Sequence, residues 1–313
     1  MAFDIAVVGL YIVDILGRPI TDIPAGGAVD FIEEIRLTVA GTAGGTAVDC
    51  AKLGMATLAV GAVGDDEKAG FLLSTLAQHG VDISRMQKVA GIPTSSTILC
   101  IRPNGERPAM HARGASDYLF VRPEDVPEVF QAPIVHLGGT GLLRAMDGAP
   151  SADFLRHAQS QGCITSFDLV GARRETAELV DAVLPYVDYF MPSIEEASIL
   201  SGESGQDDII RHFLDRGVKT CVLTMGEEGA LIASREQRIH IPAYDVPVVD
   251  TTGCGDAFSA GFLTAIRKGD DIEQAGRFGA AAAAMVATGL GSDAGIVGFE
   301  ETRQAMNTLP IKH

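Results

Sequence analysis

Short apolar runs alternate along this chain with stretches of helical period. DIAVVGLYIVDI reads as a buried strand, and AGGTAVDCAKLG as a glycine-rich turn opening a helix. ATLAVGAVG is a further strand, and AGFLLSTLAQHG an amphipathic helix stopped by Gly80. APIVHLGG, CITSFDL, DYFMPS and TCVLTMG follow as strands. Between them SADFLRHAQSQG, ETAELVDAVLPYV, IEEASILSG and QDDIIRHFLDRG read as helices, and two late helices close the chain. Continuous apolar strands alternating with helices predict an α/β fold whose mainly parallel central sheet is covered on both faces.

Two segments break that rhythm. Gly17–Ala40 contains ITDIP and FIEEIRLTVA, which alternate with the period of a strand. Ser95–Tyr118 contains STILCIRPNGERPAMHARG, in which PNGE reads as a turn between two hairpin strands. These excursions, about residues 14–40 and 95–118, are expected to form a small β-sheet lid over the open end of the main sheet. No repeat or linker interrupts the chain, so 1–313 reads as a single domain with the lid inserted into it.

Composition narrows the class. With 47% hydrophobic and 21% charged residues the chain has the makeup of a globular protein. Its net charge of −17 comes with no Lys/Arg-rich run, which argues against a nucleic-acid partner. The start MAFDIAVVGLYIVDI lacks the basic region and cleavage site of a signal peptide. GAAAAAMVA falls well short of the roughly 20 apolar residues of a membrane helix. Cys50, Cys100, Cys163, Cys221 and Cys254 are odd in number, scattered and never CxxC, which fits neither a disulfide framework nor zinc. A cytoplasmic protein without membrane association is expected.

The chemistry concentrates in VVDTTGCGDAFSAGF, Val248–Phe262. An extended segment ends at Val249, and a helix begins near Asp256 with Phe258, Phe262 and Ile266 on one stripe. Gly253-Cys254-Gly255 therefore lies where unpaired N–H groups collect at a helix N-terminus, a natural anion site. Asp256 is expected to stay ionised there, because the helix terminus favours its charge. A carboxylate of ordinary pKa suffices as base where a phosphoryl group passes to an alcohol through a loose transition state. Asp256 would take the hydroxyl proton while the N–H groups of Gly253, Cys254 and Gly255 hold the developing charge. Cys254 serves through its N–H, not its sulfur. Alone, a Gly-x-Gly-Asp is equally an N-capping aspartate behind a turn.

The longer stretch DTTGCGDAFSAGF closely resembles the C-terminal signature of the ribokinase-like (PfkB) carbohydrate kinases, and the likeness runs in order through the chain. It implies a ribokinase-like three-layer α/β/α sandwich with a lid, and an ATP-dependent kinase acting with Mg²⁺ on a primary alcohol of a sugar-like substrate. VVGLYIVDI is similar to the family's first strand, whose closing acid, here Asp14, holds substrate hydroxyls. AGGTAVDCAKLG is similar to the element beneath the sugar, with Gly44 and Gly45 in place and Asp49 where an Asn is usual. VLTMGEEGALI resembles the nucleotide turn, putting Thr224, Gly226 and Gly229 near ATP. The Mg²⁺-positioning Asn-x-x-Glu appears as Ser193-Ile-Glu-Glu196, keeping Glu196 (Mg²⁺ through water) and losing the amide. Of an Asp-x-Asn-x-Arg motif Asp168 survives. Asp250 and Thr252, with backbone around Gly289 and Gly291, match positions that bind a monovalent cation such as K⁺ in some members.

Thr46, Ile12 and Gly138-Gly139 depart from ribokinases proper and weaken ribose as substrate. His111 and Arg113, on the lid, are the donors that closure over a sugar phosphate would need. A nucleoside kinase would stack its base on Phe31, Tyr118 or Phe120. A non-catalytic sugar-binding regulator on the same fold is the reading from another class, and Ser193 keeps it open. A dinucleotide oxidoreductase lacks its GxGxxG after the first strand, and no Gly-Lys of a P-loop occurs. The lid's strand edges favour a homodimer.

Overall fold

The computed structural model describes residues 3–312. In chain order its strands are β1 (Ile5–Gly9), β2 (Ile12–Arg18), β3 (Glu34–Ala40), β4 (Thr57–Val63), β5 (Asp82–Lys88), β6 (Ser96–Cys100) and β7 (Ala109–Ala112). They continue with β8 (Ile134–Thr140), β9 (Ile164–Leu169), β10 (Tyr189–Phe190), β11 (Thr220–Thr224), β12 (Ala230–Ala233) and β13 (Arg238–Ile241). The α-helices are α1 (Thr42–Lys52), α2 (Glu67–Gln78), α3 (Ala149–Ser160), α4 (Ala177–Asp181), α5 (Ile194–Ser201), α6 (Gln206–Asp215), α7 (Cys254–Lys268), α8 (Ile272–Ala287) and α9 (Phe299–Thr308).

The large sheet runs β13-β12-β11-β10-β9-β8-β1-β4-β5. Its pairs are parallel except where β12 meets β11 and β13. Side chains alternate between its two faces. Val8, Val60, Phe167 and Leu223 pack with residues of α3, α5 and α6 in one core, while Val7, Ala59 and Val222 pack with residues of α1, α2, α7, α8 and α9 in another. That is the three-layer α/β arrangement expected. A second sheet, order β3-β2-β6-β7, gathers the two segments that broke the helical rhythm.

Three local expectations change. DIAVVGLYIVDI is two strands in two sheets. Gly9, at φ 138, lies so close to β8 that a Cβ would fall 1.9 Å from the Gly138 oxygen, and the chain turns there from the large sheet to the small. AGGTAVDCAKLG holds Gly44 and Gly45 inside α1, with Gly41 at φ 87 turning into the helix. ETAELVDAVLPYV is broken: α4 spans five residues and a separate 3-10 turn carries Pro185, which cannot continue a helix.

Candidate active site

A cavity of about 870 Å³ lies between the two sheets. From the large sheet's side α7 points its N-terminus at it. Gly253, the residue before α7, has φ 80, and a Cβ there would fall 2.4 Å from the Ser292 Cβ, so only glycine makes this turn. Gly255 is the opposite case. A Cβ there meets no protein atom within 4 Å, so its bareness leaves room in the cavity it lines. The Cys254 N–H is spent on the Thr251 carbonyl at 3.3 Å. Among the described residues the N–H groups of Gly253, Gly255 and Asp256 have no protein acceptor. The free donors are therefore these three, with Asp256 taking the place that the sequence reading gave to Cys254.

Asp256 lies in the first turn of α7 against α1. A Cβ on Gly45 would stand 2.7 Å from its Oδ2, and the Thr46 hydroxyl approaches its carbonyl at 3.5 Å. Its carboxyl is not an ordinary one. Burial pushes it up to about 7, with Asp14 and Glu196 adding to the shift and the Arg107 guanidinium opposing it, while one side stays open to the cavity. Burial outweighs the helix terminus at this position.

The small sheet supplies the facing wall. Thr38, Asp14, Thr97 and His111 are register partners across its four strands, so they share a face. Asp14 is 5% exposed, its Oδ1 lacks a partner, and burial raises its carboxyl to about 7. A buried acceptor oxygen left unpaired beside a cavity is suited to a substrate hydroxyl. His111 lines the cavity with its Nδ1 3.1 Å from the Thr97 hydroxyl, and partial burial lowers its pKa. Arg113 is turned elsewhere: it donates to Asp117 and to the Gly141 carbonyl, each at 2.7 Å. The guanidinium that does line the cavity is that of Arg107, unremarked in the sequence because a hairpin tip has no periodicity to single it out.

Asp168 at the end of β9 lines the cavity, raised well above the usual carboxylate range by burial and by Glu196 and Asp256. Glu196 lines it too. Its Oε2 accepts the Ser193 N–H at 3.1 Å and its Oε1 the Gly171 N–H at 3.0 Å, while Ser193 Oγ accepts the Glu196 N–H at 3.2 Å. Ser193 thus completes a capping box for α5. No group of three or more metal-ligating side chains occurs among the described residues. Mg²⁺ suits this wall, since it is commonly held by one or two carboxylates, waters and the phosphates of a nucleotide.

Thr224, Gly226 and Gly229 line the far end of the cavity, where Ala280, Ala283, Ala284 and Ala287 of α8 form its apolar side. Gly229 is enforced, a Cβ there falling 2.0 Å from the Ile241 oxygen. Six expected residues stay behind the wall, Gly289 and Gly291 among them. Gly44 and Gly45 are buried in α1. Asp49 is fully buried with both oxygens unpaired, and burial raises its carboxyl well above the usual range. Asp250 is also fully buried. Its Oδ1 accepts from the Thr252 N–H and hydroxyl at 2.9 and 2.8 Å, and its Oδ2 from the Gly291 N–H at 2.9 Å. It straps the turn before α7 to the loop after α8, while Gly289 packs against Ala294. Burial pushes the Cys254 thiol up to about 12, which leaves its sulfur chemically quiet.

Residues 2–297 match the model of the pfkB family carbohydrate kinases. A fructokinase of Klebsiella pneumoniae is 31% identical over 72% of this chain and 76% of its own. An Arabidopsis thaliana ribokinase solved with ribose and ATP superposes with TM-score 0.82 at 24% identity, covering 98% of this chain and 99% of its own. An Escherichia coli structure with ATP and Mg²⁺ superposes with TM-score 0.84 at 21% identity, covering 98% and 99%. The chain belongs to the pfkB family of carbohydrate kinases, and as such is an ATP-using kinase of a sugar-like substrate.

Proposed function

We propose that this kinase transfers the γ-phosphoryl group of ATP to the hydroxymethyl group of an uncharged sugar, with Asp256 as general base. The observation carrying this reading is the meeting of two half-sites. Asp256 and three free N–H groups stand on one wall, and Asp14, its Oδ1 unpaired, faces the same cavity from the other. Asp14 accepts hydrogen bonds from sugar hydroxyls, and the reacting hydroxyl lies against Asp256. Its oxygen attacks the γ-phosphorus as the bond to the β-phosphate bridging oxygen breaks, and its proton passes to the Asp256 carboxylate. The N–H groups of Gly253, Gly255 and Asp256 hold the charge on the transferring group. Mg²⁺, when bound, neutralises the polyphosphate, and Glu196 through water and Asp168 are the residues to hold it.

Charge favours a neutral substrate. Asp14, Asp168 and Glu196 line the cavity around Asp256, with Arg107 as the guanidinium among them. A sugar phosphate would meet more acid than base there, Arg113 being committed to Asp117. Phe31, Tyr118 and Phe120 are exposed and away from the cavity, which speaks against a stacked nucleoside base. The small sheet is read as a lid inserted into one domain. Its outer row, Leu37, Ile15, Ile98 and Met110, is apolar, with Leu37, Ile98 and Met110 46%, 47% and 55% exposed, and supports a homodimer built lid to lid. A cytoplasmic location agrees with its five free cysteines. The Asp250 strap leaves K⁺ activation to a comparison of K⁺ with Na⁺ buffers.

The test is ADP release from ATP and Mg²⁺ against neutral sugars, sugar phosphates and nucleosides. A neutral sugar is expected to give the highest kcat/KM, and Asp256→Asn to lose about 10²–10⁴-fold in kcat. A sugar phosphate preferred over every neutral sugar, or an unimpaired Asp256→Asn enzyme, defeats the reading.

A further inference from the structure

Arg107 stands on the long tip between β6 and β7, exposed and outside both cores. Its Nε donates at 3.2 Å to the hydroxyl of Thr251, which lies 144 residues away in the turn leading to α7. Neither of its terminal amino groups has a protein acceptor among the described residues, and it enters no ion pair there. Arg113, six residues further along the chain, differs in having both amino groups satisfied. Arg107 therefore reaches across the mouth from the small sheet, fastens one edge of its planar group to the anion turn, and leaves its fork over the cavity.

We infer that Arg107 is a catalytic residue, its guanidinium fork contacting the transferring phosphoryl group above the free N–H groups of Gly253 and Gly255. The inference rests on the phosphoryl-transfer reading given above and adds a participant to it. Three features carry it. The fork is unspent, and a planar pair of N–H donors matches two oxygens of a phosphoryl group. Its anchor is Thr251, so it lies beside the turn that must receive that group. Its field reaches both sides of the reacting centre, for the same guanidinium draws down the carboxyls of Asp14 and Asp256 and the Cys254 thiol. The cavity otherwise gathers acids at this end, and a γ-phosphoryl group carrying spread negative charge needs a cation opposite them. Arg107 supplies it from the small sheet's side, so the phosphoryl clamp draws on both sheets.

The experiment compares wild-type enzyme, Arg107→Ala and Arg107→Lys on the best neutral sugar of the panel, with saturating ATP and Mg²⁺. Arg107→Ala is expected to lower kcat by about 10²–10³-fold, the cost of removing one preorganised donor to developing charge. The KM values for sugar and ATP are expected to stay within about threefold, since a contact made in the transition state falls on kcat. Arg107→Lys should recover part of the loss, as a point charge without the fork, and added guanidinium ion should restore turnover to Arg107→Ala. An exposed tip residue leaves the melting temperature unchanged, so misfolding does not imitate this pattern. A kcat within twofold of wild type overturns the inference, as does a loss confined to the KM for sugar, which would make Arg107 a binding group. Wild-type enzyme that phosphorylates no sugar overturns the phosphoryl-transfer reading, and this inference with it.

Discussion

Asp256, the proposed base, lies where its surroundings favour its proton. Burial raises its carboxyl to about 7, and Arg107 alone among its named neighbours pulls the other way. A raised pKa makes the carboxylate a better proton acceptor, but the fraction ionised falls below that pH. The sign is therefore definite: kcat/KM should decline about tenfold per pH unit below about 7 and level off above it. A pH–rate profile for the neutral sugar checks this, and a profile flat down to pH 5 contradicts it. Removal of the negative charge in Asp14→Asn should move the limb to lower pH, because Asp14 contributes to the rise. Little of this is legible in the sequence. The motif around Asp256 announces the residue, whereas its pKa depends on Asp14, Glu196 and Arg107, which meet it only in three dimensions.

At the scale of elements, α7 and α1 depend on each other. Gly45 leaves no side chain, so the Asp256 carboxyl can rest on α1. Gly45→Ala should push that carboxyl aside and lower kcat about 10²-fold, as misplacement of a reacting group by about 1 Å does. The fold should survive, because the atom in the way is the end of a side chain. Gly255→Ala meets no protein atom within 4 Å and should melt like wild type, yet lose activity through the space the phosphoryl group needs. Kinetics and thermal melts on both variants separate the two cases. Element type was well encoded: strands such as TLAVGAV are buried throughout, and QDDIIRHFLD keeps Ile209, Ile210, Phe213 and Leu214 on one buried face. What failed was where β1 gives way to β2, since an apolar run does not say which sheet it joins. The reason for Gly44 and Gly45 was also hidden, because close approach to Tyr11 and Asp256 is tertiary. The alanine run of α8 was legible only as too short for a membrane, and its role as one side of the cavity is a matter of packing.

On the scale of the whole molecule, the two faces of the small sheet divide its work. One carries Asp14, Thr97 and His111, the other Leu37, Ile98 and Met110. An exposed apolar sheet face is a surface for association. Ile98→Lys should shift the protein from dimer to monomer in sedimentation or light scattering, and a wild-type protein that is monomeric at high concentration removes the proposal. Such a dimer would restrain the lids of both protomers, so the monomeric variant should show a higher KM for sugar than for ATP relative to wild type.

The passage from one sheet to the other has its own consequence. Leu10 is pinned on both sides, its N–H donating to the Gly138 carbonyl at 2.9 Å and its carbonyl accepting the Gly44 N–H at 3.1 Å. The buried Tyr11 hydroxyl is tied to the Val7 carbonyl at 2.9 Å. Any swing of the small sheet against the large one must therefore pivot beyond Tyr11. That pivot would fall between Leu10, held to the large sheet, and Asp14 on the small one. On the proposed function, a sugar held by Asp14 would then be carried towards Asp256, so that approach of alcohol to base and closure of the mouth would be one displacement.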